Sequence, residues 1–308
     1  DVYKRQTIEA SEALPLLLFI GIGAMIDFGP LLEKPWLMLF GAAAQFGIFV
    51  TLVLAGLFFD LPDAASIAVI GAADGPTAIF VANTLNSQYL GAIMVAAYSY
   101  MALVPIVQPP VIRLCTTKKE RLIRMPYQKG NVSKITKILF PIVVTMLAGL
   151  VAPASVALVG FLMFGNLLRE CGVLNALSET AQNVLANLIT IVLGLTVAGQ
   201  MTADKFVQPD TLLILALGLV AFIFDTAGGV FFAKLLNLFL PEGKKINPMI
   251  GAAGISAFPM SGRVVNQMGL AEDNQNFLLM YSISVNVSGQ IASVIAGGLI
   301  LTLMSSCV

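Results

Sequence analysis

Long apolar runs alternate with short polar stretches along the whole chain. The apolar segments are 14–26, 36–59, 65–85, 90–107, 138–151, 156–168, 185–199, 211–236, 248–265 and 276–303. A helix needs about 17–25 mostly apolar residues to cross the hydrocarbon core of a bilayer. The pattern therefore predicts an all-α polytopic membrane protein, with an amphipathic interfacial helix over the more polar residues 169–183.

Composition agrees with a membrane protein and removes several classes of chemistry. The chain is 58% hydrophobic and 11% charged, whereas a soluble domain has about 25% charged residues. Its net charge is 0, so no nucleic-acid partner is expected. The absence of histidine excludes His-based catalysis and most transition-metal sites. The three cysteines lie far apart, and the remaining chemistry rests on carboxylates, hydroxyls, amides and a few cations.

The charges in the loops predict an orientation. The basic loop, residues 113–137, contains eight Lys or Arg residues and one acid, so the positive-inside rule places it in the cytoplasm. Asp60 and Asp63 are then predicted outside, and Lys244 and Lys245 inside. For these sides to hold, segments 65–85 and 248–265 must each enter and leave on one side. Both are therefore predicted to be re-entrant broken helices.

An internal repeat gives the domain organisation. The tetrapeptide IGAA at 70–73 recurs at 250–253, and two weaker pairs upstream keep the same order. The predicted topology gives the two copies opposite orientations, as in the inverted repeats of many secondary transporters; chance matches between Gly/Ala-rich sequences are the alternative. The predicted domains are a first repeat at 1–112, the basic loop at 113–137 and a second, inverted repeat at 138–308. The hairpin 138–168 lacks a counterpart in the first copy, so an N-terminally truncated chain is expected.

A carboxylate lies inside the first broken segment, in the stretch GAADGPTAIF at 71–80. Pro76 removes a main-chain N–H, and Gly71 and Gly75 weaken a helix further. Such breaks persist at bilayer depth where they line a water-filled or ion-binding cavity. An Asp at this depth costs about 2.5–3.5 kcal/mol, which makes Asp74 a candidate functional residue. Oxygen ligands without His or Cys suit Na⁺ or H⁺; the alternative is that Asp74 only caps the following helix.

The second broken segment, NPMIGAAGISAFPMSGR at 247–263, carries neutral oxygens and one cation. Asn247, Ser256 and Ser261 are candidate neutral ligands. Arg263 can bind a carboxylate through two hydrogen bonds, although snorkelling toward the interface is its alternative role. If the two segments enter from opposite faces, their tips meet near the middle of the membrane.

Two further polar residues lie within predicted spans. Asp225 precedes the small-residue stretch TAGG at 226–229, which suits close helix packing. It is a candidate second ion ligand. Tyr100 is a candidate proton donor, and packing in the core is its alternative role.

Three stretches of the chain carry a resemblance to a known family. They are GAADGPTAIF at 71–80, YSYMALVPIVQPP at 98–110 and the second broken segment at 247–263. Together they resemble the β subunits of the sodium-translocating biotin-dependent decarboxylases, a family that serves oxaloacetate, methylmalonyl-CoA, glutaconyl-CoA and malonate decarboxylases. The likeness covers essentially the whole chain. It departs mildly at Ser261 and Gly262, and more at the missing N-terminal start.

The resemblance implies roles for particular residues. The residues that match the family's functional positions are Asp74, Tyr100, Asn247, Gly251, Ser256 and Arg263. We expect Asp74, Tyr100 and Arg263 to be catalytic and Arg263 and Asn247 to contact carboxybiotin. With Asp225 added from its position, the expected Na⁺ ligands are Asp74, Asn247, Gly251, Ser256 and Asp225.

The resemblance also implies a mechanism and partners. A biotin carrier presents carboxybiotin from the cytoplasmic side, and this subunit decarboxylates it, consumes a proton and moves Na⁺ outward. The implied partners are the carrier, a carboxyltransferase subunit, a small single-span membrane subunit and further copies of this chain in a homo-oligomer. The implied location is the cell inner membrane, which the chain crosses several times.

Two other functions are consistent with broken helices and repeats. A Na⁺-coupled secondary solute transporter shares both features, and a passive membrane scaffold for a soluble enzyme needs neither chemistry nor transport. Na⁺ transport that depends on biotin and is blocked by avidin distinguishes the decarboxylase pump from both alternatives.

The predicted sides of the membrane can be tested by cysteine labelling. In a background without native cysteines, Asp60→Cys, in the same predicted outer loop as Asp63, is expected to react with a membrane-impermeant maleimide from outside, and Lys244→Cys only after the membrane is opened. Labelling of both positions from the same side would contradict the topology and the re-entrant paths together.

Overall fold

The computed structural model describes residues 13–127, 130–200 and 208–305, and in these ranges the chain is helical and contains no strand. Lys129 of the basic loop and Cys307 lie outside the described residues. The first helices are α1 (Ala13–Met25), α2 (Gly29–Glu33), α3 (Met38–Ala44), α4 (Phe46–Ala55), α5 (Leu61–Ala68), α6 (Gly75–Thr84), α7 (Leu90–Cys115) and α8 (Lys118–Arg121). The others are α9 (Lys134–Val151), α10 (Val156–Glu170), α11 (Asn175–Thr180), α12 (Ala186–Gln200), α13 (Pro209–Phe239), α14 (Met260–Glu272) and α15 (Leu279–Ser305).

Several helical stretches are suited to a membrane by length and composition. Among the described residues, six are long and apolar enough to cross it: Pro35–Ala55, Leu90–Cys115, Lys134–Val151, Asn175–Thr196, Pro209–Phe239 and Leu279–Ser305. This confirms the prediction of an all-α polytopic membrane protein. The inverted repeat, the domain boundaries and the re-entrant paths stay predictions.

Two predicted boundaries are wrong. The span that starts at Leu90 does not end at Pro109 and Pro110 but continues as a helix to Cys115. Prolines are tolerated in membrane helices because neighbouring groups satisfy the freed main-chain carbonyls. The bounds of the interfacial helix predicted over 169–183 are also wrong, because residues 169 and 170 end α10 and residues 175–196 form one helical stretch.

Polar side chains explain why the helical stretch 175–196 stays continuous. The Thr180 hydroxyl donates to the Ala176 carbonyl at 2.8 Å, and the Asn187 amide donates to the Asn183 carbonyl at 2.6 Å. Polar side chains that bond to their own helix do not need to leave the apolar environment. A polar stretch of sequence is therefore compatible here with a continuous span.

The buried helices are α13 and α15, around which the two broken segments are arranged. The most apolar window of α15 is 67% buried and that of α13 is 50% buried, whereas that of α9 is only 17% buried. Helix α13 packs against α3, α4 and α7, and α15 packs against α3 and α14. The short 3₁₀ helices Val69–Ala72 and Pro248–Gly254 both pack against α13. The broken segments thus lie in the interior, while α9 is peripheral.

Helices α1 and α10 cross at glycines. A Cβ atom at Gly23 would lie 1.8 Å from the Leu162 carbonyl oxygen, and one at Gly165 would lie 2.0 Å from the Ile20 carbonyl oxygen. Small residues let the main chains of membrane helices approach closely and gain van der Waals contact. Each helix therefore supplies one glycine that the other helix requires.

This crossing predicts unequal effects of two similar substitutions. Gly165→Ala is expected to lower the thermal unfolding midpoint of the purified protein, because overpacking costs about 1–3 kcal/mol. Gly194→Ala, on α12, is the matched control, since among the described residues no atom outside its own helix turn lies within 4 Å of its added Cβ. The control is expected to be neutral or to stabilise the helix by about 0.5–1 kcal/mol. Equal midpoints for the two variants would contradict the close crossing.

Candidate functional site

The first break separates the 3₁₀ helix Val69–Ala72 from α6. Ala73 has a φ of 52°, in the left-handed region, and Asp74 follows in an extended conformation. Pro76 lies in the first turn of α6, where its missing N–H removes no helical hydrogen bond. The local sequence therefore ends one helix and starts another with the acid between them, as the sequence predicts.

The carboxylate of Asp74 is buried, with 2% of the residue exposed. Its Oδ2 accepts hydrogen bonds from the Thr77 hydroxyl at 2.6 Å and from the Ser293 hydroxyl at 3.2 Å. Asp74 occupies the N-cap position of α6, but its side chain makes no capping hydrogen bond. A cap of α6 needs no bond from Ser293 of α15, and the role of Asp74 as an ion ligand stays a prediction.

The second break directly contacts the first. After the 3₁₀ helix Pro248–Gly254 the chain is non-helical until α14 begins at Met260. Within that stretch the main-chain N–H and the hydroxyl of Ser256 both donate to the Ala72 carbonyl, at 3.1 and 2.6 Å. The meeting of the two broken segments, which the sequence analysis expected, is present in the structure.

Helix α15 adds a polar face that the sequence analysis missed. Asn286, Gln290 and Ser293 are spaced by four and three residues and therefore share one side of the helix. The Asn286 amide donates to the Ile255 carbonyl at 2.6 Å, and Ser293 reaches Asp74. The sequence did contain a signal, since these polar residues recur at helical spacing within an apolar span.

Asn247 does not contact Asp74. Its amide nitrogen donates to the carbonyls of Arg121 and Ile123, each at 2.9 Å, and its oxygen accepts from the Met249 main-chain N–H at 3.1 Å. Both ends of this carboxamide are in use, and they join the second break to the basic loop. Its expected contacts with Na⁺ and carboxybiotin stay predictions.

Gly251 lies at a main-chain crossing. A Cβ atom there would be 2.0 Å from the Gly229 carbonyl oxygen of α13, and Gly229 faces Gly251 in the same way. The structure thus gives this glycine a packing role, and its expected role as a Na⁺ ligand stays a prediction.

Asp225 contacts the first break at Gly71, before the position of Asp74. It is fully buried on α13, and its Oδ1 accepts from the Ile48 main-chain N–H at 3.3 Å. Its Oδ2 has no hydrogen-bond partner within the described ranges and would lie 2.9 Å from a Cβ at Gly71. The structure brings Asp225 to the broken segment but does not bond it to Asp74. Its role as a second ion ligand stays a prediction.

Two tyrosines of α7 face different neighbours. The Tyr100 hydroxyl, the predicted proton donor, donates to the main-chain carbonyl of Leu215 on α13. Tyr98 packs instead on Gly75, where a Cβ would lie 2.9 Å from its Cζ, and it is close enough to Asp74 for an electrostatic interaction. Its buried hydroxyl has no partner among the residues that the structure describes. The sequence alone does not single out Tyr98. Tyr98 and Tyr100 point to different sides of α7, and only the helices packed against α7 show which side faces Asp74.

Arg263 lies in the first turn of α14 with an exposed side chain. It forms no ion pair or side-chain hydrogen bond with the described part of the chain. The guanidinium group is therefore available to an anionic group from outside the subunit.

The basic loop is attached to the ends of several helices. Arg121 pairs with Glu272 at 2.6 Å, and Lys234 of α13 pairs with Glu120 at 3.3 Å. Arg124 bonds to Asp273 at 2.6 Å, and this hydrogen bond lowers the pKa of the Asp273 carboxyl. The loop is thus fixed over the side of the protein that carries Asn247.

Taken together, the broken segments bring together two buried carboxylates, Asp74 and Asp225, and several neutral oxygens. Within the described ranges no group of three His, Cys, Asp or Glu side chains could hold a metal ion. Carboxylate, hydroxyl and amide oxygens suit a hard cation such as Na⁺, or a proton, rather than a transition metal.

Comparisons with known proteins agree with this chemistry. The family model described as the Na⁺-transporting oxaloacetate decarboxylase beta subunit matches residues 2–304. The oxaloacetate decarboxylase beta chain of Klebsiella pneumoniae is 55% identical over 298 residues, which cover 94% of this chain and 68% of the relative. The corresponding chain of Haemophilus ducreyi is 53% identical over 301 residues, covering 96% and 68%.

A relative with a differently named substrate is nearly as similar. The methylmalonyl-CoA decarboxylase subunit beta of Propionigenium modestum is 52% identical over 291 residues, which cover 94% of this chain and 73% of the relative. The match over almost the whole chain, together with a buried oxygen site between two broken helices, identifies the molecule at the level of its family. The chain belongs to the family of Na⁺-transporting oxaloacetate decarboxylase β subunits.

Proposed function

We propose that this chain is the multi-pass inner-membrane subunit of a decarboxylase sodium pump, and that it decarboxylates carboxybiotin while moving Na⁺ outward. The family membership favours a pump over a Na⁺-coupled solute transporter. The relatives are named for oxaloacetate and for methylmalonyl-CoA, so the carboxylic acid that feeds this pump is left open.

The observation that carries the proposal is the surroundings of Asp74. A buried carboxylate at bilayer depth is costly unless a cation or a proton neutralises it. The nearest hydrogen-bond partners of Asp74 are the hydroxyls of Thr77 and Ser293, which carry no charge. The site is therefore suited to exchange one positive species for another, which is what coupling between Na⁺ and H⁺ requires.

The chemistry of the substrate supplies the use for that proton. When carboxybiotin is decarboxylated, the bond between the ureido nitrogen and the carboxylate carbon breaks, CO₂ leaves, and the nitrogen takes up one proton. Na⁺ that binds at Asp74 favours the ionised carboxylate and displaces its proton. Tyr100 stays the predicted donor, and Tyr98 is a second phenol near Asp74. Either hydroxyl can pass a proton to a group bound beside the breaks.

The exposed Arg263 gives carboxybiotin a place to bind. An unpaired guanidinium group can hold a carboxylate through two hydrogen bonds. In the proposed arrangement Arg263 holds the carboxylate of carboxybiotin before the bond breaks, and Asn247, on the same segment of the sequence, is the second proposed contact. We propose that a partner biotin carrier delivers this group and that a carboxyltransferase subunit loads the carrier. A small single-span subunit and a homo-oligomer of this chain complete the proposed assembly.

The function is tested with the purified complex. Free carboxybiotin is expected to be decarboxylated faster with Na⁺ than without it. In proteoliposomes, ²²Na⁺ movement is expected to require the biotin carrier and to stop when avidin is added. Na⁺ transport that persists with avidin would favour a solute transporter, and decarboxylation indifferent to both Na⁺ and this subunit would favour a scaffold.

The variant Asp74→Asn is expected to abolish both ²²Na⁺ transport and Na⁺-stimulated decarboxylation, because it keeps the shape of the side chain and removes its charge. Asp63→Asn is the matched control, since Asp63 is also a largely buried acid but is bonded by the Ser87 hydroxyl at 2.6 Å, away from the breaks. Near-normal pumping by Asp74→Asn would refute the role of this carboxylate.

A single carboxylate that binds both Na⁺ and H⁺ predicts linked pH and Na⁺ dependence. Protonation of Asp74 inhibits at low pH, and Na⁺ competes with that proton. The acid limb of the decarboxylation profile is therefore expected to move to lower pH as Na⁺ rises. In the saturating regime the shift approaches about one pH unit for each tenfold increase in Na⁺. An acid limb that does not move with Na⁺ would assign the exchanged proton to a different group.

A further inference from the structure

Four side-chain amides hold the main chain of the second break. Each one donates a side-chain N–H to a different carbonyl between residues 252 and 256. The pairs are Gln108 with Ala252, Gln45 with Gly254, Asn286 with Ile255, and Gln290 with Ser256. The amides come from three separate regions of the chain and form what we term the carboxamide clamp. The carbonyls that the broken helix frees are thus already occupied by protein donors.

The other half of each clamp amide is left without a partner. The side-chain oxygens of all four residues are buried and accept no hydrogen bond within the described residues. Only the nitrogen can donate to a carbonyl, so the orientation of each amide follows from the contact that it makes. Buried oxygens without partners are unfavourable unless a donor or a cation reaches them. The clamp therefore leaves four buried neutral oxygens along the second break, and they differ in how close they lie to the first break.

Gln290 is the clamp residue that lies between the two breaks. Its amide nitrogen holds the carbonyl of Ser256, and Ser256 in turn donates to Ala72, two residues before Asp74. One helical turn along α15, Ser293 donates to Asp74 itself. A closed ring of contacts thus runs from Asp74 through Ser293, Gln290 and Ser256 back to the first break.

A glycine on the same helix makes this ring possible. A Cβ atom at Gly289 would lie 2.2 Å from the carbonyl oxygen of Gly254, so α15 touches the second break main chain to main chain. At that distance the side chain of Gln290 reaches the main-chain carbonyl of Ser256, and the residue is only 3% exposed to solvent.

We propose that Gln290 is a positioning and ion-binding residue of this site: its nitrogen fixes Ser256, and its free Oε1 serves as a neutral ligand of the Na⁺ held by Asp74. The inference rests on the proposed function and adds a residue to it. Na⁺ prefers several hard oxygen ligands, and Asp74 by itself supplies only one charged group. A bound Na⁺ gives the buried Oε1 of Gln290 a partner.

The experiment compares two glutamines that make the same kind of bond. Gln290→Met removes the amide near Asp74, and Gln108→Met removes the amide that holds Ala252 at the far end of the break. Methionine has a similar length and no amide. Equilibrium ²²Na⁺ binding to the purified complex, measured without turnover, is combined with the Na⁺ concentration for half-maximal decarboxylation. Asp74→Asn in the same binding assay reports on the proposed function itself.

Gln290→Met is expected to raise both Na⁺ constants roughly tenfold, the loss that corresponds to one neutral ligand. Gln108→Met is expected to change them by less than twofold, although both variants lower thermal stability. Gln290→Glu, which keeps an oxygen at this position, is expected to bind Na⁺ at least as tightly as the native protein. This second variant keeps the test open if Gln290→Met does not fold.

The possible outcomes separate the two claims. Na⁺ binding by Gln290→Met within twofold of that by Gln108→Met would overturn the assignment and leave Gln290 as a packing residue. The same holds if Gln290→Glu binds Na⁺ tenfold more weakly than the native protein. If Asp74→Asn also binds Na⁺ normally, the proposed sodium site itself fails, independently of Gln290.

Discussion

Main-chain groups that leave a helix inside a bilayer must find partners within the protein, and this constraint organises the centre of the molecule. The Ala72 carbonyl of the first break accepts two hydrogen bonds from Ser256 of the second. The carbonyls of the second break accept side-chain amides from distant helices. Each break is therefore stable only when the other break and α15 are in place, and the position of Asp74 follows from all three.

The same constraint explains why glycine crossings surround the site. Amide side chains reach main-chain carbonyls only if the helices that carry them approach closely. Gly289 against Gly254 and Gly251 against Gly229 allow contacts in which a Cβ would lie within 2.2 Å of a main-chain oxygen. The hydrogen bonds of the buried main-chain carbonyls therefore depend on the close packing of these helices. A costly buried acid is tolerated within this frame, in which the hydroxyls of Thr77 and Ser293 donate hydrogen bonds to it.

The basic loop connects this frame to the surface. Asn247 begins the second break and holds two carbonyls of the loop, while Arg121 of the loop pairs with Glu272 at the end of α14. The unpaired Arg263 lies on that same helix. The helix that carries Arg263 and the second break, which contacts Ala72 of the first break, are therefore both connected to the basic loop through a few direct contacts.

The sequence by itself determined the membrane class, the two breaks and the position of Asp74 at the first break, because hydropathy and the backbone chemistry of Gly and Pro act over a few neighbouring residues. Only the tertiary structure decided that Asn247 turns to the loop, that Tyr98 rather than Tyr100 lies near Asp74, and that α15 supplies Ser293. It also decided that α7 continues through Pro109. These outcomes depend on partners far away in sequence, such as Ser293, which lies 219 residues from Asp74. A local sequence pattern does not encode which distant side chain becomes the hydrogen-bond partner of a given group.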